Sequence, residues 1–228
     1  ARQAACRVWG NEVSVLSGDY LLAMAFHRLT KLRYPEVLEL MSETTTRMAR
    51  GELLQLTRSY KTANEDDYFE IIINKTACLF ATAIKTGALL AGASGKSADL
   101  MYDYGMAIGV SFQIVDDALD YSDEKKTGKP VGGDLQERKI TLPLNHLMEQ
   151  ANVTDRKRLD SILSQSIIEK PQIEEVTCLM KRYGSIDYTL AHSREYAAKA
   201  RQYIENFPDT ELRQSLAGIA DYIVSRQD

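Results

Sequence analysis

Apolar residues recur at three- and four-residue intervals along most of the chain, the spacing that lines one face of an α-helix. The pattern predicts a first long helix over Val13 to Thr30 and a second over Pro35 to Thr62, whose stripe runs through Val37, Leu40, Met41, Thr44, Met48, Leu53 and Leu56. A third helix is predicted from Asn64, an N-cap residue type with Asp67 three positions on, to the glycine-rich break at Gly87 to Gly95. The fourth, from Ser97 to about Tyr121, is apolar on nearly every side through Tyr104, Ala107, Ile108, Val110, Phe112 and Ile114, as expected of a helix surrounded by others. Its Gly105 and Gly109 suit close approach by a neighbour. Helical spacing resumes at Leu142, and a late stripe of Tyr183, Ile186, Leu190, Ser193, Ala197, Ala200, Ile204 and Phe207 predicts a helix packed along a seam. No repeat or linker interrupts this, so the expected architecture is all-α, one helical domain over residues 1–228.

Composition narrows the function. A 228-residue chain that is 44% hydrophobic can bury a core, and its formal net charge of −4 disfavours a broadly basic nucleic-acid surface. Any anionic ligand must be held locally. The three cysteines, Cys6, Cys78 and Cys178, are far apart and lack metal-ligand spacing, which points to neither a disulfide framework nor structural zinc and suggests a reducing cytoplasm. No apolar run reaches the ~20 residues of a membrane span.

Charge is concentrated where the fourth helix should end. Five acids fall in the nine residues from Asp116 to Glu124, followed by a basic, glycine-rich stretch with Lys125, Lys126, Gly128, Lys129, Gly132, Gly133, Arg138 and Lys139. Asp116 and Asp120 are four apart, with Gln113 three before Asp116, so they share about one helix face; Asp117 stands beside them. Carboxylates at a helix C-terminus meet the negative end of its dipole, at a cost of roughly 0.3–1 kcal/mol each. A divalent cation held by hard oxygen ligands, magnesium or manganese, would offset this, and the downstream lysines would close over a phosphate sharing its shell.

The segment NEDDYFE, Asn64 to Glu70, serves as an internal control. Its Asp66, Asp67 and Glu70 sit at a helix start, where the dipole favours them and capping explains them. Lys75 and Thr76 interrupt an apolar face, and a buried lysine needs a charged partner: a diphosphate, an internal Asp or Glu, or solvent reached by snorkelling. His27, His146 and His192 lack an ExxH partner and read as surface or packing residues.

The stretch from Gly109, GVSFQIVDDALDYSDEKKTGKPVGGDLQERKITLPL, resembles the second aspartate-rich region of the trans-isoprenyl diphosphate synthases, particularly the octaprenyl and solanesyl type. VWGNEVSVLSGDYLLAMAF (Val8 to Phe26), ARGELLQL (Ala49 to Leu56) and KTACLFATA (Lys75 to Ala83) follow the family's order. The resemblance implies an all-helical isoprenoid-synthase bundle around a deep apolar cavity, in which isopentenyl diphosphate is joined to an allylic diphosphate with magnesium (or manganese) as cofactor. Carried over by position, Asp116, Asp117 and Asp120 match metal-binding residues, Asp116 being the direct ligand, and Asp134 orders the metal's water shell. Lys75, Thr76, Gln113, Lys129 and Lys139 match residues that hold the allylic diphosphate; Lys75, Gln113 and Lys129 are the catalytic candidates. The resemblance also implies a cytoplasmic homodimer. The family's first aspartate-rich motif and its paired arginines would precede Ala1, so the expectation is the C-terminal two-thirds of a longer enzyme, with little activity alone. Two other readings stand beside it: a non-catalytic regulatory subunit of a prenyl synthase, and a terpene cyclase, whose second metal motif has mixed Asn, Ser and Glu character where this chain repeats Asp.

Overall fold

The structure is a computed structural model and describes residues 3–58, 64–122 and 131–226. Every regular element among these residues is helical: α1 (Ala5–Lys31), α2 (Pro35–Thr57), α3 (Glu65–Ile72), a π-helical turn (Ile73–Ala77), α4 (Cys78–Leu90), α5 (Gly95–Leu119), α6 (Gly133–Gln136), α7 (Leu142–Gln150), α8 (Val153–Leu163), α9 (Lys170–Arg182), α10 (Ser185–Ile204) and α11 (Glu211–Ser225). The chain divides into two compact units, Ala1–Glu43 and Thr44–Asp228. The division falls inside α2, where the unbroken helical pattern of the sequence does not announce it.

In the first unit, α1 breaks its helical geometry at Gly10, whose φ of 83° is open to a residue without Cβ. None of its residues is buried, and Trp9, Val13, Leu16, Tyr20 and Leu21 stand exposed.

The second unit is built around α5. Ser94 caps it, accepting the Ser97 N–H, and it packs against α4, the π-turn, α7, α10 and α11, burying residues all round its axis from Ala98 to Ala118. The two close approaches expected of its glycines are present. A Cβ on Gly105 would lie 2.7 Å from the Ala81 Cα, and one on Gly109 would lie 2.6 Å from the Ala77 Cα. The α4 backbone and the π-turn therefore rest directly on α5.

The seam of α10 differs from its predicted stripe. Its buried residues are Ser185, Thr189, Ser193, Ala197, Ala200 and Ile204, while Ile186 and Leu190 are only partly covered and Tyr183 precedes the helix. Small side chains let α10 lie close to α5, and their hydroxyls find partners: Ser111 Oγ donates to the Ser193 carbonyl at 3.0 Å and sits 2.9 Å from Ser193 Oγ. Hydrophobic spacing alone selects the larger Ile186 and Leu190, one position along from Ser185 and Thr189, while Ser193, Ala197, Ala200 and Ile204 of the predicted stripe are buried as expected.

A separate apolar cluster of Leu144, Leu147, Leu159, Ile162, Leu163, Val176 and Met180 ties α7, α8 and α9 together. Each such leucine or isoleucine contributes about 1.5–3 kcal/mol by leaving water. Tyr121 and Leu135 join this cluster from either side of residues 123–130, so the end of α5 and the returning chain share one base. Another apolar cluster, Tyr68, Ile72, Ala77, Val110, Ile114, Ile140 and Leu142, shares Ile72 and Ile140 with the lining of the polar site.

Candidate active site

A cavity in the second unit is lined by Gln55, Lys75, Thr76, Gln113, Asp116, Asp117, Asp134, Lys139 and Thr141, together with the apolar Ile71, Ile72 and Ile140. Residues from α2, α3, the π-turn, the end of α5, α6 and the segment after it thus converge, and acids and lysines meet there as the sequence pattern expects.

The π-turn presents Lys75 and Thr76. Its wider winding changes the register of a helical face over five residues, a feature frequent at functional sites. Arg47 steadies it by donating to Asn74 Oδ1 at 3.1 Å and to the Tyr102 hydroxyl at 2.8 Å. Beneath it α2 has Gly51, where a Cβ would meet the Lys75 backbone nitrogen at 2.5 Å. Lys75 is partly exposed and pairs with Glu52 at 2.7 Å while donating to Gln55 Oε1. The acidic partner of Lys75 within the chain is therefore the half-accessible Glu52, and its own side chain is partly open to solvent.

A chain of hydrogen bonds runs along the end of α5. Thr76 Oγ1 donates to Gln113 Oε1 at 3.0 Å, which turns the Gln113 amide so that Nε2 donates to Asp117 Oδ1 at 2.8 Å. Tyr68 on α3 donates to Asp117 Oδ2 at 2.8 Å. Asp117 is therefore buried with both oxygens engaged by protein donors. Burial pushes its carboxyl up to about 7, against the pull of the Gln113 and Tyr68 hydrogen bonds. Tyr68 is itself held well above its ordinary value by burial and by Asp117.

Asp120 has a different task. Its Oδ2 accepts the Asp134 N–H at 2.9 Å and its carbonyl accepts the Gly132 N–H at 2.8 Å, so it fastens the returning chain to the end of α5. Gly132 makes the turn with φ of 78°. Burial raises the Asp120 carboxyl to about 6, opposed by the backbone donor from Asp134. Asp134 in turn accepts from Lys139 at 3.0 Å, and Lys139 also pairs with Glu137 at 2.7 Å. Partial burial pulls the Lys139 ammonium down, but the bonds to Glu137 and Asp134 outweigh it and leave it raised. Asp116, with its side chain 41% accessible, opens on the cavity wall.

Of the predicted site residues, Lys75, Thr76, Gln113, Asp116, Asp117, Asp134 and Lys139 come together in the lining of this cavity, with Asp120 directly behind it as a fastener. Lys129 lies outside the described residues, as do Lys125, Lys126 and Gly128. Arg138 donates to the Gln165 carbonyl instead of lining the cavity. Sequence reasoning missed Tyr68, Glu52 and Gln55. Tyr68 lies inside the control segment, and nothing in its spacing distinguishes a carboxylate donor from a core tyrosine.

The control segment behaves as its position requires. Asn64 Oδ1 accepts the Asp67 N–H at 2.9 Å and Asp67 Oδ2 accepts the Asn64 N–H at 3.3 Å, a reciprocal cap; Arg58 pairs with Asp67 at 3.0 Å and Arg50 with Glu70 at 2.9 Å.

Among the described residues, no group of three or more His, Cys, Asp or Glu side chains is placed to enclose a metal by itself. The donor set nevertheless fits a hard divalent ion of the kind that keeps waters and shares its shell with phosphate: one accessible carboxylate, a second nearby, and lysines in the same lining. Among these residues no helix is long and apolar enough to cross a membrane, and the three cysteines are free.

Comparison with known proteins agrees with this geometry. The family described as polyprenyl synthetase matches residues 1–180. The octaprenyl diphosphate synthase of Escherichia coli is 37% identical over 220 residues, covering 96% of this chain and 68% of that protein. Among solved structures, a decaprenyl diphosphate synthase from Rhodobacter capsulatus superposes with a TM-score of 0.93 at 34% identity, covering 100% of this chain and 71% of that one. A polyprenyl synthase from Caulobacter crescentus, complexed with calcium and isoprenyl diphosphate, gives a TM-score of 0.95 at 34% identity over 100% of this chain and 70% of its own. With four sequence blocks in order, an all-helical fold that superposes along its whole length, and a cavity lined by Asp and Lys at the end of α5, the chain belongs to the polyprenyl synthetase family.

Proposed function

We propose that this chain carries the allylic diphosphate half of a trans-prenyltransferase, which joins isopentenyl diphosphate to an allylic diphosphate and lengthens it by one isoprene unit. The observation that supports this most is the meeting of Asp116 and Asp134 with Lys75, Thr76, Gln113 and Lys139 in the lining of one cavity. Lysines and carboxylates on a common surface suit a ligand made of an anion and a cation together.

In this reading Asp116 is the direct ligand of a divalent ion, and Asp134 orders its water shell. Asp117 and Asp120, whose oxygens already serve protein donors, hold the end of α5 and the returning chain in place. When bound, magnesium or manganese supplies positive charge against the diphosphate that departs from the allylic carbon. Lys75, released from Glu52, and Lys139 add to that stabilisation as the C–O bond breaks, because charge grows on the diphosphate oxygens in the transition state. Lys129 joins them in the same reading. The Thr76 and Gln113 side chains orient the diphosphate. Ile71, Ile72 and Ile140 keep water from the adjoining cation. The isopentenyl double bond then attacks the allylic carbon, and the proton lost in forming the new double bond passes to the departed diphosphate. No protein nucleophile takes part.

The test is product formation from isopentenyl and farnesyl diphosphates with magnesium, using the chain alone and the chain joined to the N-terminal portion its relatives carry. Longer prenyl diphosphates from the joined protein are expected, and no product from either contradicts the reading. The same active preparation is expected to sediment as a homodimer; a monomer contradicts that part.

A further inference from the structure

Arg226 follows the last turn of α11, over a hundred residues from the acids of α5, yet its guanidinium reaches them. Tyr104 of α5 donates to the Leu216 carbonyl at 2.8 Å, and Ala220 and Ile223 of α11 pack into the cluster with Tyr104, Ala107 and Ile108, so the two helices are held side by side. At the end of that contact the guanidinium lies over the Phe112 ring, 4.8 Å from its centroid. Phe112 and Asp116 are one helical turn apart on the same face. The Arg226 Nη2 accordingly stands 4.0 Å from Asp116 Oδ1, on the carboxylate that opens to the cavity.

Two features mark this as a displaceable contact. The ion pair is at the long end of its range, and Arg226 Nη1 is buried without a hydrogen-bond partner among the described residues. A guanidinium that served to lock the fold would satisfy its donors, since a buried unpaired N–H is costly. Arg226 instead supplies charge to Asp116 while resting on a ring.

We propose that Arg226 is a positioning residue that acts as the internal counter-ion of Asp116, neutralising it in the metal-free protein and competing with the divalent ion for that carboxylate. This rests on the reading of Asp116 as a metal ligand. The competition keeps the metal weakly held until a diphosphate, which brings its own negative charge, shifts the balance. The C-terminal helix is thereby coupled to metal loading through one side chain.

Titration of the full chain with Mn2+ alone, followed by the enhancement of water-proton relaxation, tests this directly. Arg226→Gln is expected to bind Mn2+ about 2- to 5-fold more tightly than the wild type, the range set by partly exposed ion pairs. Arg226→Lys, which keeps the charge, is expected to stay near the wild type. Arg158→Gln, which removes an equal charge from α8, is expected to change nothing. Unchanged or weaker binding by Arg226→Gln, or tightening by Arg158→Gln to the same extent, overturns the proposal and leaves the metal reading of Asp116 standing. Mn2+ binding that persists unaltered in Asp116→Ala overturns both. Circular dichroism of each variant confirms that the helices are retained before affinities are compared.

Discussion

Asp117 is a carboxylate surrounded by donors and nearly closed to water, whereas Asp116, the residue before it, is open. Adjacent positions on a helix point about 100° apart, so one can be buried while the other stays open. Tyr68→Phe removes one of the two donors that hold Asp117 without changing the packing. The loss of that bond to a buried acceptor is expected to cost about 1–3 kcal/mol, read as a lower urea midpoint with an unchanged slope. No change in midpoint would mean that the Tyr68 bond does not support Asp117. At this scale the sequence reveals the acids but not their division of labour. The spacing of Gln113, Asp116 and Asp120 shows a common face, and the helix dipole argument reads Asp67 as a capping residue, which it is. What it lacks is the partner of each: Tyr68, Glu52 and Arg226 come from remote positions, and a single donor 49 or 110 residues away leaves no periodic trace.

Among elements, the contact of α5 with the π-turn and α4 decides where Lys75 and Thr76 sit, and it depends on backbone lying against backbone. Gly109→Ala places a Cβ 2.6 Å from the Ala77 Cα, a clash that side-chain rotation cannot relieve. Overpacking of this kind is expected to cost about 1–3 kcal/mol. Gly87→Ala, in α4 with nothing within 4 Å, is expected instead to stabilise by about 0.5–1 kcal/mol, because alanine loses less backbone freedom on joining a helix. Thermal melts of the pair check both signs; equal shifts would remove the close-packing argument. Helix existence is legible from periodicity here: α3 and α5 begin within two residues of their expected starts, while α1 begins at Ala5, well before Val13, and the π-turn divides what spacing predicts as one helix into α3 and α4. The π-turn is not legible, since nothing in the spacing of its residues sets them apart from α-helix, and the contacts it makes with Arg47 and Gly51 come from remote positions. In α10 the predicted stripe is the buried one from Ser193 to Ile204, and it departs only in the first turns, where the smaller Ser185 and Thr189 are buried in place of Ile186 and Leu190.

For the whole molecule, the placement of charge follows from how the chain returns. Residues before and after positions 123–130 share the base formed by Tyr121 and Leu135, so Asp134 and Lys139 come back to the end of α5 instead of trailing into solvent. Acids crowded at the unfavourable end of a helix dipole need positive charge nearby, and in the proposed reading a cation arriving with an anion supplies it. An accessible carboxylate beside lysines suits a metal held mainly by water and phosphate. The most direct measurement is calorimetric titration of the protein with a bisphosphonate, with and without magnesium, for the wild type, Asp116→Ala and Asp66→Ala. Binding that requires magnesium, falls at least about tenfold in Asp116→Ala and is unchanged in Asp66→Ala is the expected result. Binding without magnesium, or an equal loss from both substitutions, would contradict the account.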